Sequence, residues 1–391
     1  MDFLKMAKEI ESELIDIRRD MHKNPELDFQ LYKTRDKIIN ILKEENIEYT
    51  SYAETGIKAV IYGNGDKTVA LRSDMDALPI NEETGKPFSS NEVGKMHACG
   101  HDAHMAIALG ALKILNRIKD KLPGNVVFIF EPAEETTGGS RIMINEGVLE
   151  NPRVDSIFGL HVSENIDAGK IGVKKGVVMA ASNPFSIKII GKGGHGAHPE
   201  ATIDPIVIAS QFISFIQTII SREINPNKGA VITVGMIQGG TAENIIPESV
   251  HIKGVIRSLA NEDREYLKKR LADILDGVTK AGRASYELNI RESYPCLYNS
   301  DSNVDRAVSS AAYIIGKDNV IELKEPSLGV ESFAYFSQKI PSAFYFLGIR
   351  NKEKGIIYPA HNSRFDIDES AIAIGAAIQS KIAYDYLKED K

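Results

Sequence analysis

MHACGHDAHM, residues 96–105, places three histidines and one of the chain's two cysteines within eight positions, His97 to His104. Directly behind the cluster, HMAIALGALKILNRIKD carries apolar residues at helical spacing, so the cluster stands at the start of a helix. Short apolar runs flank it: TVALRSD before and NVVFIFEP after, both reading as strands. Strand, helix, strand is the unit of an α/β sheet, and the succession continues in both directions. Upstream lie an amphipathic helix pattern in MDFLKMAKEIESELIDIRRDMHKN, a second helix in TRDKIINILKEEN and a strand in IKAVIYGN. Downstream come a helix in TGGSRIMINEG, ending at Gly147, and a strand in SIFGLHV. The expected fold class is α/β, with a largely parallel sheet covered on both faces.

The pattern changes near residue 183. FSIKIIGKG reads as a strand and IDPIVIASQFISFIQTIISR as a long helix. AVITVGMIQGG and SVHIKGVIRS are adjacent strands, EDREYLKKRLADILDGVTKAG is a helix and ASYELNIRES a strand. That order, β-α-β-β-α-β, is the ferredoxin-like unit. The α/β pattern then resumes with VDRAVSSAAYIIG, SAFYFLGI and a final helix from Glu369. Residues 183–293 are therefore expected to be a domain inserted into a larger α/β domain formed by 1–182 and 294–391.

Composition narrows the class. The chain has 391 residues, 43% hydrophobic and 26% charged, with a formal net charge of −7. No lysine/arginine cluster stands out, which argues against nucleic acid and anionic membrane surfaces as partners. Two cysteines cannot make a disulfide framework, and the start does not read as a signal peptide, so a reducing cytoplasm is expected. No apolar run is expected to reach the length of a membrane span.

Open α/β sheets bind ligands at the carboxyl ends of their strands. TVALRS runs into Asp74 and Asp76, VVFIF into Glu131, Glu134 and Glu135, and SIFGL into His161. AFYFLGI is followed, after a loop, by His361, while Cys99 and His101 precede a helix. Thiolate, imidazoles and carboxylates make the ligand set expected for zinc or, less selectively, for manganese, cobalt or nickel. Two neighbouring ions need more ligands than one and can activate a water and polarise a carbonyl. Adjacent Glu134 and Glu135 suggest one metal ligand and one proton carrier. Asp76 is expected to orient a ligating imidazole through its carboxylate.

HACGHDAH, EPAEE, GLHV, GKGGHGAHP and AHN with the following FDIDE, in this order, resemble the amidohydrolase/carboxypeptidase branch of the two-metal peptidase superfamily, over about residues 14 to 375. That branch includes hippurate hydrolase, bacterial aminoacylases, auxin-conjugate hydrolases and N-acetyldiaminopimelate deacetylase. The resemblance implies two divalent metals held by Cys99, His101, Glu135, His161 and His361, with Glu134 as general base. It implies a homodimer or dimer-based oligomer, the inserted domain serving as lid and dimerisation surface. His195 would stabilise the reacting carbonyl oxygen, within its own subunit or across the dimer. Asn244 and Arg257 would contact the substrate, Arg257 at its carboxylate. Their alternatives are turn residues for His195 and Asn244, and ordinary strand-end exposure for Arg257. His104 is expected to pack or orient a ligand, and His22, His97 and His251 to be structural. One position departs from the pattern: where many relatives carry Glu-Asp-Phe, this chain has Glu331, Ser332 and Phe333. The implied activity is cleavage of the amide bond of N-acyl amino acids by a metal-activated water. The alternatives are N-acetyldiaminopimelate deacetylation, dipeptide cleavage, or an inactive metal- or ligand-binding homologue.

Overall fold

TVALRSD and NVVFIFE are buried at every position, as strands covered on both faces must be. In the computed structural model, which describes residues 1–389, they lie side by side and parallel, with Asp74 opposite Glu131. Internal contacts divide the chain into two units. One comprises Met1–Val178, Tyr298–Glu325 and the chain from Ser332 onward; the other comprises Met179–Leu297 and Pro326–Glu331.

Among the described residues, the larger unit holds an eight-stranded sheet. Its order is Glu48–Tyr52, Gly56–Ile61, Asn125–Glu131, Thr68–Asp74, Ser156–Asp167, Ser342–Arg350, Ile171–Val173 and Val320–Glu322. The four strands from Asn125–Glu131 to Ser342–Arg350 are mutually parallel, so their carboxyl ends share one edge. The sheet as a whole is mixed rather than parallel: Glu48–Tyr52, Gly56–Ile61 and Ile171–Val173 join it antiparallel. Helix His101–Asn116 is buried from His101 to Leu115 and packs against helices Glu11–Lys23 and Ser370–Lys388. Each fully buried Leu or Ile there contributes about 1.5–3 kcal/mol relative to exposure.

The N-terminal amphipathic stretch is two helices, Phe3–Glu9 and Glu11–Lys23, where a single one was expected. Neither Gly nor Pro breaks it. The bend at Ile10 lets Phe3 and Ala7, as well as Leu14 and Met21, reach one core, and that burial outweighs helix continuity.

The smaller unit runs β-α-β-β-α-β through Ala181–Ile190, Pro205–Thr218, Ala230–Gly239, Ser249–Ser258, Asn261–Ala281 and Ser285–Ile290. Its antiparallel strands lie in the order Ala230–Gly239, Ser249–Ser258, Ala181–Ile190, Ser285–Ile290. Alternation decides the faces: Val250, Ile252 and Ile256 are buried, His251 and Lys253 exposed. Asp204 caps the first helix by accepting from Ile206 N–H, with Pro205 in the first turn.

That helix corrects one expectation. Its continuation to Glu223 gives 19 residues, Pro205–Glu223, long and apolar enough by length and composition to cross a membrane. One face, with Ile208, Phe212 and Ile216, instead belongs to the core of the smaller unit.

Gly110, inside the buried His101 helix, gives a test of this packing. An exposed helical Gly→Ala change stabilises by about 0.5–1 kcal/mol. Here a Cβ would stand 2.6 Å from Leu14 Cδ1 and 2.9 Å from Ala376 Cβ, and the alanine methyl cannot rotate away. Gly110→Ala is therefore expected to lower stability by about 1–3 kcal/mol in denaturant titration. A gain would contradict this close approach of helices.

Candidate metal centre

The cluster forms at the shared carboxyl edge of the parallel strands. Gly100 makes the corner between Cys99 and the helix beginning at His101. Its φ is +87°, and a Cβ there would lie 2.4 Å from Val162 Cγ2, so only glycine fits. The corner brings Cys99 Sγ within 3.3 Å of His161 Nε2, at the end of the neighbouring strand.

Four groups of potential ligands have their ligand atoms within 4.8 Å of one another; one joins Asp74, His101 and His104, another His101, Glu134 and Glu135, and two consist of expected ligands alone: Cys99, His101 and His161; and Cys99, Glu135 and His361. The last two meet at Cys99. All five expected ligands are thus brought together, four of them largely enclosed and His361 exposed. His101 Nε2 stands 3.8 Å from Glu135 Oε1, which is 3.4 Å from His361 Nε2. His101 Nε2 and Glu135 Oε1 are buried without a hydrogen-bond partner. Buried polar atoms are rarely left so, and a cation would supply what both lack.

The surrounding hydrogen bonds set the tautomers. His101 Nδ1–H donates to the Asp76 carbonyl at 2.8 Å, and His161 Nδ1–H to the Val162 carbonyl at 2.6 Å, turning both Nε2 lone pairs inward. Asp76 thus holds an imidazole through its backbone oxygen, the carboxylate being 3.6 Å from that ring. The carboxylate faces the 131–135 turn and accepts Glu134 N–H at 2.9 Å and Glu135 N–H at 3.1 Å. His104 donates from Nδ1 to Asp74 at 2.6 Å and accepts Val162 N–H at Nε2, 2.9 Å. With both nitrogens engaged it orients the His161 strand. His22 and His97 are buried within 6.3 Å of each other, and Asp102 takes His22 and Arg18. His251 is exposed on its strand.

Burial pushes the Cys99 thiol well above its usual range, and the Glu135 charge adds to this. A thiolate at this depth would need a cation beside it, and a metal held there would displace the thiol proton. For Glu135 burial opposes ionisation, yet His361 and His101 hold its carboxyl below the usual value.

Arg72 and Ser332 were not singled out as site residues by the sequence. Arg72 donates to Glu131 at 2.7 Å, Asp74 at 2.8 Å and Ser332 Oγ at 2.9 Å. A buried arginine two residues before a strand-end aspartate was the available signal.

His195, Asn244 and Arg257 belong to the smaller unit. His195 and Asn244 are neighbours: His195 pairs with Ile245 across two short strands, and Gly196 N–H donates to Asn244 O at 2.8 Å. His195 Nδ1 accepts Ala197 N–H at 3.0 Å, which leaves the ring proton on Nε2. Arg257 Nη1 donates to the Leu328 carbonyl.

The sequence profile described as peptidase family M20/M25/M40 matches residues 70–385. An N-acetyldiaminopimelate deacetylase of Priestia megaterium is 40% identical over 380 residues, covering 95% of this chain and 97% of that protein. Thermostable carboxypeptidase 2 of Saccharolobus solfataricus is 39% identical over 383 residues, covering 96% of each. The crystal structure of Bacillus subtilis YXEP, a dinuclear metal binding peptidase from the M20 family, matches with TM-score 0.84 and 34% identity, covering 97% of this chain and 99% of that one. The chain belongs to peptidase family M20/M25/M40. It is a metal-dependent hydrolase of amide bonds, and its clustered side chains suit two divalent ions.

Asp76→Asn puts an amide NH2 against one of the two backbone N–H groups that the carboxylate accepts. Metal affinity, measured by competition with a chelator, is expected to fall by roughly tenfold or more, as for other groups that orient metal ligands. Unchanged affinity would show that the 131–135 turn holds itself.

Proposed function

We propose that this enzyme hydrolyses N-acyl amino acids, releasing a carboxylic acid and a free amino acid. The observation that carries this reading is the pair of ligand groups meeting at Cys99, with the Glu134 carboxyl one residue from Glu135. Cys99, His101 and His161 would hold one divalent ion, and Cys99, Glu135 and His361 the other. When bound, such ions polarise an amide carbonyl and acidify a water molecule.

Glu134 takes the proton of the attacking water and returns it to the leaving amine. It is suited to this because its carboxyl is nine-tenths enclosed and its Oε1 accepts a backbone N–H from Ser332 at 3.0 Å. His195, with its proton on Nε2, is the donor form that an oxyanion requires. Arg257 has further N–H groups besides the one given to Leu328 and suits the substrate's carboxylate. Asn244, on the loop paired with His195, contacts the same substrate. Relatives named as a deacetylase of an N-acetyl amino acid and as a carboxypeptidase act on substrates of kindred chemistry, and they support this class over a non-catalytic role.

The smaller unit, 183–293 in the sequence reading, serves as lid and dimerisation surface. Ile206, Val207 and Phe215 on its first helix are exposed, as is Ile237 on edge strand Ala230–Gly239. An apolar helix face beside a strand edge left unpaired among the described residues suits a two-fold pairing with a second copy. The enzyme acts in the cytoplasm.

With two equivalents of metal loaded, the wild type is expected to cleave N-acetyl and N-benzoyl amino acids and to act far more slowly on the matching amino-acid amides, which lack the anion. Glu134→Gln should lower kcat by roughly a hundredfold or more while retaining metal. Equal rates on acids and amides would remove the carboxylate-recognition reading. If Glu134→Gln emptied the site while Glu135→Gln did not, the two glutamates would exchange roles.

A further inference from the structure

Ser332 has every polar group committed to buried partners in the larger unit. Its Oγ–H donates to Glu131 Oε1 at 2.5 Å, and its Oγ accepts from Arg72 Nη2 at 2.9 Å. Its carbonyl accepts from Ser140 Oγ at 2.9 Å. Its N–H donates to Glu134 Oε1 at 3.0 Å. Ser332, Glu131, Ser140 and Arg72 are all buried to within a few per cent. Glu131 is anchored again by Ser140 N–H at 2.7 Å, and Arg72 by Asp74 at 2.8 Å.

We propose that Ser332 is a positioning residue for Glu134: its hydroxyl, locked between Glu131 and Arg72, fixes the backbone N–H that sets the rotation of the Glu134 carboxyl. This rests on the reading of Glu134 as the general base. A carboxyl that receives and returns a proton must keep one orientation through both transfers, and an N–H on one oxygen imposes it. The donor is a main-chain group, so the side chain at 332 acts only by holding that main chain still. A serine hydroxyl suits this place because it donates once and accepts once, matching one carboxylate and one guanidinium. A carboxylate in the same position would set a third negative group around Arg72, beside Glu131 and Asp74, and face Glu131 at hydrogen-bond distance.

The link also explains why the departure from the Glu-Asp-Phe pattern leaves a complete hydrogen-bonded network. From Glu134 the chain of contacts runs through Ser332 and Arg72 to Asp74, His104 and the Val162 N–H beside His161. One guanidinium thus ties the proposed base to the strand carrying a proposed metal ligand.

The test uses the full-length, metal-loaded enzyme on an N-acyl amino acid substrate. Ser332→Ala removes only the hydroxyl and leaves Arg72 paired to Glu131 and Asp74. It is expected to lower kcat by about tenfold, less than loss of the base itself. KM and metal content should stay at wild-type values. Ser332→Ala made in the Glu134→Gln background should add less than about twofold, because positions that act through one another are not additive. Wild-type kcat in Ser332→Ala, loss of metal, or a full tenfold further loss in the Glu134→Gln background would each overturn the proposal. Should Ser332→Ala fold poorly, Ser332→Cys, which keeps a weak donor and acceptor, must show the smaller kcat loss of the same kind; a KM or metal effect there also overturns it. Glu134→Gln alone retaining full activity would instead remove the reading of the base, a separate result.

Discussion

Asp76 holds the centre together with three oxygens. Its carbonyl takes the Nδ1 proton of His101, and its carboxylate takes the N–H groups of Glu134 and Glu135. A single residue just beyond the end of one strand thereby sets the position of a candidate ligand imidazole, a candidate ligand carboxylate and the proposed base. Burial raises the proton affinity of that carboxyl, and the contacts from His101 and Glu135 N–H oppose the rise. The interaction works because the two central strands are parallel and in register, which puts the segments that follow Asp74 and Glu131 side by side.

Around this clamp lies a shell of buried charge. Arg72 stands between Glu131 and Asp74, and Arg18 between Asp102, Asp366 and Glu369. Buried ion pairs of this kind contribute little net stability, since desolvation offsets their attraction. Their effect is geometric. Asp102 adjoins His101 in the chain, and Asp366 and Glu369 follow His361, so Arg18 joins two segments that each carry a proposed ligand. The apolar helix His101–Asn116 provides the complementary rigidity, packed so tightly at Gly110 that no side chain is accommodated.

Much of this was legible in the sequence. Strand-end carboxylates and imidazoles are visible wherever an apolar run ends in Asp, Glu or His, and the HACGHDAH cluster marks its own helix start. The α/β class and the β-α-β-β-α-β element order follow from periodicity. What stayed hidden depends on backbone atoms or on distant packing. The Asp76 carbonyl and the Ser332 N–H carry no side-chain signature, so the sequence pointed to the Asp76 carboxylate for a task its main chain performs. The bend at Ile10 has no breaker residue, because tertiary burial causes it. The strands Ile171–Val173 and Val320–Glu322 are too short for alternation to reveal. Pro205–Glu223 is legible as a helix, but its apolar length, sufficient to cross a membrane, runs against the sequence expectation.

On the proposed reading Cys99 would serve both ions, one together with His101 and His161 and the other together with Glu135 and His361. Crystals of the zinc-loaded enzyme, measured on both sides of the zinc absorption edge, test this directly. Two anomalous peaks per chain are expected, each at bonding distance from Cys99 Sγ, about 2.3 Å for zinc, one reaching His101 and His161 and the other Glu135 and His361. A single peak, or two peaks of which either lies away from Cys99, would contradict the shared site.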